Sequence, residues 1–166
     1  MNTVLRNILR FVILILAQVM FVNNLQVLSF CNPQIYIYFL MLLPVALPRE
    51  WELLIAFGCG LVMDVFSDSL GMHAAVCTLV GYLRPLLIAA LVSDHERING
   101  EPGIKTFGMV TFVKYLCILT LIHHTSIFLL EIFSFAHLPW LMLRIIVSSL
   151  VTIAVLLSIE LLRQRS

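Results

Sequence analysis

The sequence predicts an all-α, polytopic membrane protein with six transmembrane helices. Three observations predict it. The 166 residues are 61% hydrophobic and only 11% charged, with a mean hydropathy of +1.07, whereas a soluble domain carries about a quarter charged residues. The apolar residues gather into six runs of roughly spanning length. The Lys and Arg residues outside those runs fall on alternate connections. A spanning helix needs roughly 20 residues, so six of them take up nearly the whole of 1–166 as one integral membrane domain. That leaves no room for a soluble catalytic domain.

The runs lie at about 8–28, 34–47, 50–66, 73–93, 106–133 and 138–162. Gln18 and the Asn23-Asn24 pair interrupt the first. Arg6 and Arg10 precede its apolar stretch from Phe11 to Val22 as they would in a signal peptide, but no A-x-A site follows, so the run reads as an uncleaved first helix. Asn32-Pro33 leads into the short second run, which contains Pro44, and Pro48-Arg49-Glu50 leads into the third. The fourth carries Arg84-Pro85 near its middle. The stretch 94–105 is the one polar connection, made turn-prone by Gly100, Pro102 and Gly103. The fifth run is interrupted by Lys114 and His123-His124. The sixth opens with Pro139, which fits a first helical turn because its missing N–H has no partner there. Barrel strands alternate apolar and polar residues, whereas these runs are apolar on every side, so helices are expected.

Orientation follows from the cations. Arg6, Arg10, Arg49, Arg97, Lys105, Arg163 and Arg165 lie on the N-terminal arm, the second and fourth connections and the C-terminal tail. The other connections carry no Lys or Arg. This bias places both termini in the cytoplasm and requires an even number of crossings.

Charges inside a span cost about 2.5–3.5 kcal/mol each on insertion scales, so each needs a partner or an aqueous exit. Arg84 is expected to satisfy an ion pair, a carbonyl freed by Pro85, or a partner interface. Lys114 and Arg144 have stems long enough to reach the nearer headgroups. Asp64 lies about 20 Å along the third helix and Asp68 one turn further. They either shape the outer turn, pair with Arg84 or Arg144, or meet a partner subunit. Glu131 and the two histidines are assigned to the outer end of the fifth helix. Adjacent histidines point to different faces, and no metal site is expected. Gly58, Gly60, Gly71 and Gly81 read as close-packing positions. Cys31, Cys59, Cys77 and Cys117 are widely spaced and read as small hydrophobes. There is no G-x-S-x-G, H-E-x-x-H or phosphate-binding loop, so no cofactor is implied. No basic patch points to nucleic acid.

From Gly58 to Ala75 the chain reads Gly-Cys-Gly-Leu-Val-Met-Asp-Val-Phe-Ser-Asp-Ser-Leu-Gly-Met-His-Ala-Ala. This resembles the bacterial rod shape-determining protein MreD family and its G-L-x-x-D … G … A signature, here Gly60, Leu61, Asp64, Gly71 and Ala74. Pro44 in the preceding helix and Gly81-Tyr82 in the following one also resemble that family. The motif covers about 30 residues, and the terminal thirds match by hydropathy. The resemblance implies a fold similar to the substrate-binding S components of energy-coupling-factor transporters. It implies a non-enzymatic scaffold in the bacterial inner membrane, acting with MreC beside MreB, RodA and a class B transpeptidase in peptidoglycan synthesis and rod shape. The region of the third and fourth helices, with Gly60, Asp64, Asp68 and Gly71, is the expected MreC contact. Two other readings stay open: a vitamin-binding S component, and a membrane enzyme of lipid or isoprenoid processing with acids and histidine in one pocket.

The charge bias can be tested directly. A fluorescent protein fused after Ser166 is expected to fluoresce in the cytoplasm, and alkaline phosphatase at the same point to be inactive. The opposite pattern would overturn the orientation.

Overall fold

A computed structural model describes residues 3–22, 31–92, 100–132 and 138–165, and every regular element among them is helical. Helix α1 (Thr3–Ala17) continues into a π-helical turn, Gln18–Val22; α2 is Ile37–Met41, α3 Arg49–Ser67, α4 Met72–Leu91, α5 Ile104–Phe107, α6 Met109–Ile132 and α7 Leu138–Arg165. Among the described residues three helices are long and apolar enough to cross a membrane: Met72–Leu91, Met109–Glu131 and Pro139–Gln164. Helix α3 is nearly as long as α4 but carries Glu50 and Glu52 in its first turn and Asp64 near its end.

Three expected elements change. The first helix begins at Thr3, five residues earlier than expected, and the rest of its expected length beyond Val22 lies outside the described residues. The helix expected over 34–47 shrinks to five residues, Ile37–Met41. Proline explains the C-terminal end of that shortening: Pro44 lacks the N–H a helix requires and pushes Leu43 away from helical geometry. At the other end residues 34–36 form a non-helical approach that ends in a turn. The helix expected over 106–133 is cut at Gly108, whose φ of 75° a side chain would resist. That position separates α5 from α6 and leaves Met109 to start a new helix.

Helices α3 and α4 form an antiparallel hairpin. Helix α6 packs on α4, and α7 packs on α6. The α2 segment sits inside this assembly, against α1 and α4. Nine consecutive residues, Ile35 to Leu43, are each no more than 7% exposed. A segment apolar on every side must be buried on every side, and this one forms the centre of the core with Met63, Val80, Phe112, Leu116 and Leu156. Large apolar residues face outward on α1 (Val4, Ile8, Val12), α3 (Trp51, Leu54, Leu61, Val65) and α7 (Ile146, Leu150, Leu162).

The two ends of the bundle differ. At one end Glu101 accepts from Arg6 and Arg10, at 2.6 Å each, and lies 3.7 Å from Arg163. At the same end the Val45 N–H donates to the Gly100 carbonyl at 3.1 Å. The start of α1, the exit from α2, the α4–α5 connection and the end of α7 therefore meet there. The α3–α4 turn lies at the other end of its hairpin.

The tightest helix contact is α3 on α4. A Cβ on Gly60 would stand 2.4 Å from Ala74 Cα and from the His73 carbonyl, while one on Gly58 would meet nothing within 4 Å. Gly60→Ala is expected to lower stability by about 1–3 kcal/mol through overpacking against backbone. Gly58→Ala is expected to be neutral or to gain up to about 1 kcal/mol from helix propensity. Unfolding of the two variants in matched detergent checks this, and equal midpoints would refute it.

Candidate functional site

The polar groups of the interior are organised around α2 and the hairpin. Five residues of helix leave most of their carbonyls without intrahelical donors. Arg84, from the middle of α4 and 1% exposed, reaches the end of α2. Its Nη2 donates to the Leu43 carbonyl, its Nη1 to Glu52 Oε1 at 2.6 Å, and its Nε to Tyr115 Oη at 3.1 Å. Tyr115 in turn donates to the Met41 carbonyl at 3.0 Å. One guanidinium thus joins α2, α3, α4 and α6. Arg84 does not serve a carbonyl in its own helix, as its neighbour Pro85 suggested, and its acid is Glu52 rather than Asp64 or Asp68. A planar five-donor fork suits this task in a way an ammonium does not.

The approach to α2 is held by other side chains. Gln18, from the π-helical turn, accepts from the Ile35 N–H at 2.7 Å and donates to the Pro33 carbonyl at 3.1 Å. The N–H groups of Asn32 and Gln34 donate to Ser148 and Thr152 of α7, at 3.1 Å each. Tyr38 donates to Glu160 at 2.5 Å. Glu160 also accepts from the Ile104 N–H at 3.0 Å and pairs with Arg163 at 3.0 Å.

Asp64 closes the hairpin. Its Oδ1 accepts from the His73 N–H and its Oδ2 from the Ala74 N–H, both at 2.9 Å; Ser69 Oγ donates to Oδ1 at 2.6 Å. His73 and Ala74 lie in the first turn of α4, so the carboxylate of α3 supplies the cap that Gly71, lacking a side chain, cannot. The negative charge also faces the positive end of α4. His73 Nδ1 lies 3.1 Å from Asp64 and 2.8 Å from Ser69. Asp68 terminates α3 in the left-handed region at φ 51°, and Gly71 follows at φ 80°.

The other expected site residues lie apart. Arg144 pairs with Glu131 at 3.0 Å and covers the Phe128 ring at 4.4 Å. Lys114 is exposed five residues into α6, where its stem can reach the nearer interface. His123 and His124 are fully buried about 21 Å along α6, deeper than the outer end assigned to them. No group of three or more His, Cys, Asp or Glu among the described residues is arranged to hold a metal. A surface groove of about 550 Å³ beside the α3–α4 turn is lined by Asp68, Ser69, Leu70, Gly71, Met72, Ala75 and Leu130. Its lining is largely apolar, and neither Arg84 nor Asp64 belongs to it. A ligand site needs a few convergent polar groups to fix orientation.

Sequence reasoning missed Glu52, Tyr115, Gln18 and Glu160. The signal for Glu52 was present: Glu52, Ala56, Gly60 and Asp64 recur every four residues and make one stripe on α3. Each faces α4: Glu52 bonds Arg84, Ala56 sits where a Cβ on Gly81 would come within 2.8 Å, Gly60 abuts Ala74, and Asp64 caps the helix start.

The fold and its interior define a helical bundle whose buried charges Glu52, Asp64, Arg84 and Glu160 are answered by its own groups. No family model, no curated protein and no solved structure matches the chain. The resemblance of residues 58–75, with Pro44 and Gly81-Tyr82, rests on the sequence alone.

Removing one member of a buried ion pair leaves the other uncompensated, at about 3–5 kcal/mol. Glu52→Gln and Arg84→Met are each expected to destabilise on that scale, and the double variant by less than the sum. Arg84→Lys is expected to recover little, since one ammonium cannot reach Glu52, Tyr115 and Leu43 together. Strictly additive losses in a double-mutant cycle would refute the coupling.

Proposed function

We propose that this chain is an integral scaffold of the bacterial inner membrane, without enzymatic activity. More particularly, we propose an MreD-like subunit of the cell-elongation complex, acting with MreC in peptidoglycan synthesis and rod shape, with MreB, RodA and a class B transpeptidase as direct or indirect partners. The observation that carries this reading is how the signature stretch is used. Gly60 permits the close approach to Ala74, Asp64 caps α4, and Gly71 supplies the positive φ of the turn. Leu61 alone among the signature residues points outward, at 42% exposure. A motif whose other four residues build a rigid hairpin, with an apolar outer face, suits a protein that works by presenting a surface.

The same reading holds that the chain crosses the membrane six times with both termini in the cytoplasm. The convergence of Arg6, Arg10, Glu101 and Arg163 at one end supports it. In this arrangement the short α2 is the inner part of the second crossing. Its outer connection, residues 23–30, lies outside the described part.

The MreC contact is assigned to the outward face of the hairpin, Trp51, Leu54, Leu61 and Val65 on α3. Gly60 and Asp64 act on it indirectly, by fixing that face. A photo-crosslinking residue at Leu61 or Val65 is expected to capture MreC in native membranes, whereas one at Leu150 on α7 is not. Affinity isolation is expected to recover elongation proteins. Recovery of an ATPase pair, or of a retained vitamin, would instead establish the S-component reading.

A further inference from the structure

A second polar region lies where α6, α7 and the residues leading into α2 meet. Helix α6 contributes Thr120, His123 and His124, α7 contributes Ser149 and Thr152, and the α2 approach contributes Gln34; none is more than 3% exposed. Direct bonds join part of it. The Gln34 N–H donates to Thr152 Oγ1 at 3.1 Å, which lies 3.2 Å from His124 Nε2. His123 Nε2 lies 2.8 Å from Tyr36 Oη.

The donors and acceptors do not balance. His124 Nδ1 faces the Thr120 carbonyl at 2.9 Å. A carbonyl only accepts, so Nδ1 carries the proton and Nε2 of the neutral ring must accept. The single Thr152 proton is then wanted by both His124 Nε2 and the Ser148 carbonyl, 2.8 Å away. Four further sealed atoms, Gln34 Oε1, Thr120 Oγ1, His123 Nδ1 and Ser149 Oγ, have no protein partner. They lie along the same seam: Thr120 is one turn from His123 and His124, Ser149 is one turn from Thr152, and Gln34 is bonded to Thr152. A buried group left unmet loses its hydration without return. Gln34 Oε1 can only accept, His123 Nδ1 donates or accepts according to its tautomer, and the hydroxyls take either role. A small molecule that both donates and accepts satisfies such a mixed set, and buried water typically makes about three such bonds.

We propose that the α6–α7–α2 seam is an internal binding site for ordered water, which bridges Gln34, Thr120, His123 and Ser149 and holds the approach to α2 against α7.

Water-edited solid-state NMR on the full chain, in vesicles of phosphatidylethanolamine and phosphatidylglycerol, tests it. The side chains of Thr120 and His123 are expected to receive magnetisation from water, while Leu116 and Leu119, fully buried on the same helix, do not. Signals from Thr120 and His123 as dry as those of the leucines would overturn the proposal. Thermal unfolding gives a second readout whose sign discriminates. Thr120→Val and Ser149→Ala are each expected to lower the midpoint by about 2–4 °C, and the double variant by less than the sum because they share one network. A raised or unchanged midpoint in either single variant, as expected for a dry orphan hydroxyl replaced by an apolar group, would also overturn it.

Discussion

The structure depends on one buried guanidinium. Arg84 holds the Leu43 carbonyl just past a five-residue helix, the Glu52 carboxylate and the hydroxyl of Tyr115, which itself holds the Met41 carbonyl, with 1% of its surface exposed. Without it the end of α2 would leave unmet carbonyls in the most apolar part of the bundle. A short broken element at the centre of a helical protein is tolerated only when surrounding side chains replace the bonds it cannot make with itself. Here they come from the π-helical turn after α1 and from α4, α6 and α7, so α2 is held by the bundle and the bundle is organised around α2.

The hairpin of α3 and α4 is what brings Arg84 to that position. Its stripe of Glu52, Ala56, Gly60 and Asp64 combines three functions at four-residue spacing: an ion pair at one end, backbone contact through small residues in the middle, and a helix cap at the other. The two charged ends fix the register, since a slip by one turn would separate Glu52 from Arg84 and Asp64 from the start of α4. The small residues between them let the helices approach closely enough for both ends to engage. Register and proximity are therefore set by the same four side chains.

This construction bears on the proposed role. Two of the charges that drew attention as possible partner contacts are turned inward, since Asp64 caps a neighbouring helix and Arg84 spans four elements, while Arg144 pairs with Glu131 at the surface and Asp68 and Lys114 are exposed. Between the charged ends of the hairpin the outward face of α3 is apolar, through Trp51, Leu54, Leu61 and Val65. For a scaffold, selectivity over that face rests on the shape of a rigid surface rather than on a charge within it. That also explains how substitutions at Gly60 or Asp64 would affect a partner they do not touch.

The sequence by itself determined that the chain is helical and rich in segments apolar enough for a membrane, because composition and uninterrupted hydropathy act over tens of residues and need no knowledge of neighbours. It also located Gly60, Asp64 and Arg84 as residues needing a reason, since small residues and charges are out of place in apolar helices whatever surrounds them. It did not reveal that the second segment is a five-residue helix, because Pro44 marks a break without saying what will receive the broken carbonyls. Nor did it assign Glu52 to Arg84 or place His123 and His124 in the centre. Those pairings join residues dozens of positions apart, and only the packing of α3, α4 and α6 around α2 decides which donor stands before which acceptor.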